Sequence, residues 1–247
     1  MRSSGAPGSP SDVASIALDW HRLRTCVRAV AFDLDGTLLD TLPDLADAGN
    51  AMLVELDRPT VSEAVVRSFI GDGIERLVKR LLEGRRDGEP PQDLFRRAHE
   101  SFERHYRAGL DRRTRIYPGV VEGLVAFASA GLKLACVTNK AEAFTRPLLA
   151  AHGLDRHLDL VIGGDTLLRK KPDPLPLRHC ASEFGIDTHA LLMVGDSAND
   201  VLAARAAGCP VVCVAYGYTG DGHVRSLGAD AIVENVLDAA VRLLNQT

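Results

Sequence analysis

The stretch AFDLDGTLLDT (residues 31–41) closes a short apolar run, 27–32, with two aspartates, Asp33 and Asp35, placed two positions apart. Side chains alternate along an extended strand, so both carboxylates leave its end on the same side. Like charges this close repel, and burying them without compensation is costly. A strand that ends this way needs positive charge nearby and a reason to hold both acids.

Outward from this stretch, further apolar or β-branched runs fall at 132–137, 159–162, 191–194, 210–215 and 231–233. Helical patterns lie between them at 121–130, 142–152, 175–184, 200–207 and 236–244. This alternation predicts an α/β fold: a doubly wound, Rossmann-like parallel sheet with helices on both faces. One interval breaks the rhythm. Between Thr41 and Tyr117 no convincing strand occurs, and helical patterns occupy 43–55, 61–69, 74–82 and 92–108. Thr41 suits a helix N-cap and Pro43 a first turn, while Tyr117-Pro118-Gly119 marks the return. The expected organisation is a core of 27–41 and 117–247 with an all-helical cap domain inserted at 42–116. Residues 1–26 read as a flexible N-terminal extension, although 16–24 could form a short helix.

The chain has 247 residues, 46% hydrophobic and 25% charged, enough to bury a core and support an insert. A net charge of -4 argues against nucleic acid as a partner. The basic side chains of the insert are matched by as many acids, as on solvated helix faces. No apolar run approaches the ~18 residues of a membrane span, and the Ser/Gly/Pro-rich start lacks an apolar signal core. Five cysteines without a CxxC pair read as free thiols in a reducing cytoplasm. His99-Glu100 and His105 do not make HExxH, so a zinc hydrolase is not supported.

In an open parallel sheet, ligands gather beyond the carboxyl ends of the strands. Four such ends carry polar residues here. The first supplies Asp33 and Asp35, and the second Thr138 and Asn139 in ACVTNK. RKKPDP then brings Lys171, and MVGDSAND brings Asp196, Ser197 and Asp200. Each piece alone could merely cap the following helix. Together they form one site. Asp33 and Asp196 make an all-oxygen nest for a hard cation, with Mg²⁺ the usual occupant. Lys171 and Thr138 can grip phosphoryl oxygens as charge develops on them. Pro172 biases Lys171 toward an extended backbone, and Asp173 with Pro174 suits a helix start.

These motifs resemble the haloacid dehalogenase superfamily of phosphatases: DLDGT (33–37), VTN (137–139), Lys171 before Pro172, and GDSxxD (195–200). The likeness runs from about residue 27 to the C-terminus, and the helical insert is similar to the cap of one branch. The resemblance implies Asp33 as nucleophile, forming an aspartyl-phosphate, and Asp35 as the acid and base. It implies Mg²⁺ held by the Asp33 carboxylate, the Asp35 backbone carbonyl and Asp196, with Asp200 in support. Dehalogenases of the superfamily lack the second acid, so Asp35 argues against dehalogenation. Phosphonate hydrolysis uses a cap lysine, and Lys79, alone in the insert, reads as a surface residue.

Three stretches resemble the bacterial phosphoglycolate phosphatase branch: FIGDGIERLVKRLL (69–82), VIGGDTLLRKKPDPLPL (161–177) and GDSANDVLAARAAGCPVVCVAYGYTG (195–220). The partner implied is a small phosphorylated metabolite, and the chain is expected as a monomer or homodimer. Sugar-phosphate phosphatases, a pyrophosphatase and β-phosphoglucomutase share the core motifs. Gly71-Asp72-Gly73 reads either as a helix-joining turn or, by the resemblance, as a cap loop whose backbone reaches into the closed site. A carboxylate on the substrate needs a second anion grip. Arg76, Lys79, Arg80 or cap-loop N–H groups could supply it, and spacing does not choose. A non-enzymatic phospho-receiver domain shares the acceptor aspartate but has neither the large insert nor the second acid.

Overall fold

The computed structural model describes residues 19–219 and 224–245. Its main sheet has six parallel strands in the order β5-β4-β1-β6-β7-β8. These are β1 (Ala29–Phe32), β4 (Lys133–Val137), β5 (Leu160–Ile162), β6 (Leu191–Gly195), β7 (Val211–Val214) and β8 (Ala231–Val233). Register decides what meets at the carboxyl edge. Phe32 lies opposite Cys136 on one side and Val194 on the other. The residues that follow β1, β4 and β6 therefore emerge side by side.

The strands are buried on both faces, and β1 shows how. Val30 and Phe32 join one apolar layer, while Ala29 and Ala31 join the other. The first layer is closed by α1 (Trp20–Cys26), α6 (Val120–Ser129), α7 (Glu142–Ala151) and α10 (Val236–Leu244), through side chains such as Leu124, Phe127, Leu148 and Leu243. The second packs α8 (Leu175–Glu183) and α9 (Ala198–Ala207) closely onto small residues.

Between β1 and β4 the chain builds α2 (Leu42–Glu55), α3 (Glu63–Phe69), α4 (Ile74–Glu83) and α5 (Gln92–Gly109). These helices share a separate core in which Met52, Leu81, Phe102 and Tyr106 are buried, joined by Phe144 from α7. The buried carboxylate of Asp44 ties the two connections together. It accepts hydrogen bonds from the Arg113 N–H (2.8 Å), the Thr114 N–H (3.0 Å) and the Thr114 hydroxyl (2.7 Å).

Three local expectations are corrected. A two-stranded antiparallel ribbon, β2 (Leu39–Asp40) with β3 (Arg115–Ile116), joins cap and core where no strand was expected. Two-residue strands carry no periodicity that a sequence pattern can reveal. Thr41 occupies the N-cap position of α2 as expected but does not cap it with its side chain, because its hydroxyl donates to Asp35 instead (2.6 Å). Residues 20–26 are helical rather than a loose leader. Asp19 accepts from the Arg22 N–H, and Leu23 buries itself in the first apolar layer. Residues 1–18 lie outside the described residues. No helix among the described residues is long and apolar enough to cross a membrane.

Candidate active site

A cavity of about 440 Å³ lies between the cap and the carboxyl edge of the sheet. Its floor holds Asp33, Asp35, Thr138, Asn139, Lys140 and Asp196. The chain turns sharply after β1, and Gly36, at φ 83°, makes the turn possible. A Cβ there would also fall 2.5 Å from Asp196 Oδ2, so only glycine lets the two segments approach.

Lys171 is the centre of charge. Its Nζ lies 3.0 Å from Asp33 Oδ1 and 2.6 Å from Asp200 Oδ1, and the side chain is almost wholly buried. Burial opposes its charge, but Asp200 and Asp33 outweigh burial and hold the ammonium above its ordinary value. Asp200 Oδ2 accepts from the Ser197 N–H and hydroxyl and from the Asp196 N–H. This forms a capping box at the start of α9, which fixes Asp200 behind Lys171. Asp33 Oδ1 also accepts from the Leu34 N–H (2.7 Å). Among the described residues, Asp33 Oδ2 receives no hydrogen bond.

Carboxylate oxygens of Asp33, Asp196 and Asp200 all lie within 4.8 Å of one another, and all three residues are buried. Burial, then the charges of its neighbours Asp200 and Asp33, raises Asp196 well above the usual carboxylate range. Burial raises Asp33 as well, and Lys171 only partly reverses that effect. Both acids lack sufficient positive charge, and the donor set is all oxygen. The arrangement therefore fits a hard cation.

Asp35 has a lysine of its own, which was not singled out in the sequence. Lys140 Nζ lies 2.9 Å from Asp35 Oδ1 and 3.1 Å from Oδ2. The same ammonium lies 4.9 Å from the centre of the Tyr106 ring in the cap. Burial disfavours its charge, yet Asp35 and then Tyr106 raise its pKa. Lys140 directly follows Val137-Thr138-Asn139 in the chain, but only the turn after β4 aims it at Asp35. Tyr218 is a second residue not foreseen. Its N–H donates to Asp196 (2.8 Å), and its hydroxyl accepts from the N–H groups of Thr41 and Leu42 at the base of the cap.

Thr138 lines the cavity, and its hydroxyl accepts the Lys140 N–H (3.2 Å). The Asn139 amide donates to the carbonyls of Lys171 (2.8 Å) and Gly71 (3.0 Å), so it latches the cap loop onto the core. Asn199 donates to the same Gly71 carbonyl and to Asp72, and Lys170 to the Asp72 carbonyl. Gly71 and Gly73 line the cavity, but Gly71 meets the core through its carbonyl as an acceptor. Asp173 accepts from the Leu175 N–H (2.9 Å) at the start of α8, with Pro174 at the cap position itself. Arg76 and Lys79 are paired with Glu89, and the buried Arg80 is paired with Asp72. None of these three is among the residues lining the cavity.

A parallel sheet with an inserted helical cap and a carboxylate–lysine cluster at its carboxyl edge defines the class. The family model of haloacid dehalogenase-like hydrolases matches residues 30–214, and the chain belongs to that family. Among its relatives, the phosphoglycolate phosphatase of Thiobacillus denitrificans is 50% identical over 215 residues, covering 87% of this chain and 95% of the relative. That of Nitrosospira multiformis is 54% identical over 213 residues, covering 86% and 94%. The crystal structure of a predicted phosphoglycolate phosphatase from Haemophilus somnus superposes with a TM-score of 0.81 at 35% identity, covering 86% of this chain and 96% of the other.

Gly217 tests how tightly the site is packed. A Cβ at this position would lie 2.1 Å from the Asp196 Cβ. Gly217→Ala is therefore expected to displace Asp196 or the segment carrying Tyr218, at a cost of about 1–3 kcal/mol. A lowered urea midpoint is the expected observation.

Proposed function

We propose that this protein is a Mg²⁺-dependent phosphomonoesterase that works through an aspartyl-phosphate and hydrolyses 2-phosphoglycolate to glycolate and phosphate. The observation that carries the reading is the pair Asp33 and Asp35 on one strand end, each with its own buried lysine, in one cavity beneath the cap. A simple binding pocket has no need of two acids separately tethered in this way.

Asp33 acts as the nucleophile. Lys171 and the Leu34 N–H hold Oδ1, which leaves Oδ2 free of hydrogen bonds to attack phosphorus. The phosphorus–oxygen bond to the alcohol breaks as the acyl-phosphate forms. Asp35 gives the departing alkoxide its proton, then takes one from the water that cleaves the intermediate. Lys140 and the Thr41 hydroxyl fix the direction of Asp35 for both transfers. Thr138 and Lys171 hold the phosphoryl oxygens.

Mg²⁺ would be held by the carboxylates of Asp33 and Asp196 and the Asp35 backbone carbonyl, with Asp200 behind them. Bound there, it supplies a double positive charge against the phosphoryl oxygens. Four carboxylates share this strand edge with two lysines, an excess of negative charge that a divalent cation would balance. The cap excludes water and limits the size of the substrate. Its latched loop and modest cavity suit a small metabolite. The kinship with the phosphoglycolate phosphatases supports the choice of ester.

Two measurements test these points. Turnover of 2-phosphoglycolate, sugar phosphates and pyrophosphate is expected to give the highest kcat/KM for 2-phosphoglycolate in the presence of Mg²⁺, and a higher value for a sugar phosphate would reject the substrate. Asp33→Asn is expected to retain the fold by circular dichroism and to lose turnover and acid-stable phosphate labelling. Residual activity above a few per cent would reject the covalent route.

A further inference from the structure

Building on the phosphoglycolate reading, we infer that Arg67, in the last turn of α3, binds the substrate's carboxylate. A two-carbon phosphate ester with a carboxylate carries a second anion close to the first. With the phosphoryl end at Asp33, that anion calls for donors on the cap side of the same cavity, and a cation there is the strongest.

The cations of the cap are not equivalent. Arg76 and Lys79 are held by Glu89, away from the cavity lining. Arg80 is consumed within the cap by Asp72 and by the carbonyls of Phe69 and Arg86. Arg86 reaches the cavity rim, but it is exposed and donates to the Ser68 carbonyl (2.7 Å). Arg67 also lines the cavity, and among the described residues its guanidinium has no ion pair or hydrogen bond.

Its surroundings prepare it for a carboxylate. The guanidinium carbon lies 5.5 Å from the centre of the Tyr218 ring. Tyr218 is fixed at both ends: its backbone N–H donates to Asp196, and its hydroxyl accepts from the N–H groups of Thr41 and Leu42. A guanidinium over an aromatic face is held by its plane, which leaves the N–H fork on its edge free. A planar fork of donors matches a carboxylate in bidentate fashion. Tyr218 therefore links the two ends of the substrate, because it touches Asp196 beneath the phosphoryl group and supports Arg67 at the far end.

The test compares kcat and KM for 2-phosphoglycolate and for 2-hydroxyethyl phosphate, in which a neutral hydroxymethyl group replaces the carboxylate. Wild type, Arg67→Gln, Arg67→Lys and Arg86→Gln are measured side by side. Wild type is expected to favour 2-phosphoglycolate. In Arg67→Gln the ratio of the two kcat/KM values is expected to fall by about 10- to 100-fold, mainly through the KM for 2-phosphoglycolate. Arg67→Lys keeps a charge but loses the fork, and its ratio is expected to fall less; if the Gln variant does not fold, an unmoved ratio in the Lys variant overturns the inference. A wild type that favours 2-phosphoglycolate, with Arg67→Gln slowing both esters equally or neither, overturns the role of Arg67 and leaves the substrate standing. A larger fall in Arg86→Gln than in Arg67→Gln does the same. A wild type without preference rejects 2-phosphoglycolate as substrate, and this inference with it.

Discussion

The structure depends on a charge balance buried at the end of one strand. Asp33, Asp35, Asp196 and Asp200 meet there because the register of β1 with β4 and β6 brings three strand ends together. Lys171 and Lys140 enter the same space, with only 1% and 2% of their side chains exposed. A buried ion pair gains little net stability, since desolvation consumes most of the attraction. Its value here is positional. Lys140 fixes Asp35, Lys171 fixes Asp33 against Asp200, and removing any of these partners would strand a charge in a low dielectric.

Backbone geometry makes that balance possible. Gly36 and Gly217 press two loops against Asp196 so closely that a methyl group at either position would collide with it. The Asp200 capping box serves two functions at once: it starts α9 and anchors Lys171. The same atoms stabilise the fold and set the site, which ties the site geometry to the stability of the sheet.

The cap completes the cavity. Its hinge is held by Asp44, and its loop is latched by Asn139, Asn199 and Lys170. Tyr218 bonds to both hinge and floor, so cap position and site geometry are mechanically coupled. A latch made of polar hydrogen bonds can open at modest cost, because water replaces each bond.

Asp33, Asp35, Thr138, Asn139, Lys171, Asp196 and Asp200 were legible in the sequence because each directly follows an apolar run or sits in a short stiff motif. A strand end has one direction, and the topology of a parallel sheet sends all such ends to one edge. The helical insert was legible by periodicity over long segments. The sequence could not select Lys140, whose aim depends on the turn after β4. It pointed to Arg76, Lys79, Arg80 or cap-loop N–H groups and passed over Arg67, since helical phase defines a face but not what lies opposite. Short-range pattern thus determined the sheet, its chemistry-bearing edge and the existence of a cap. Tertiary packing alone decided which lysine holds which aspartate and which cap arginine meets the cavity. Those choices rest on contacts between residues far apart in the chain, and such contacts leave no local periodicity.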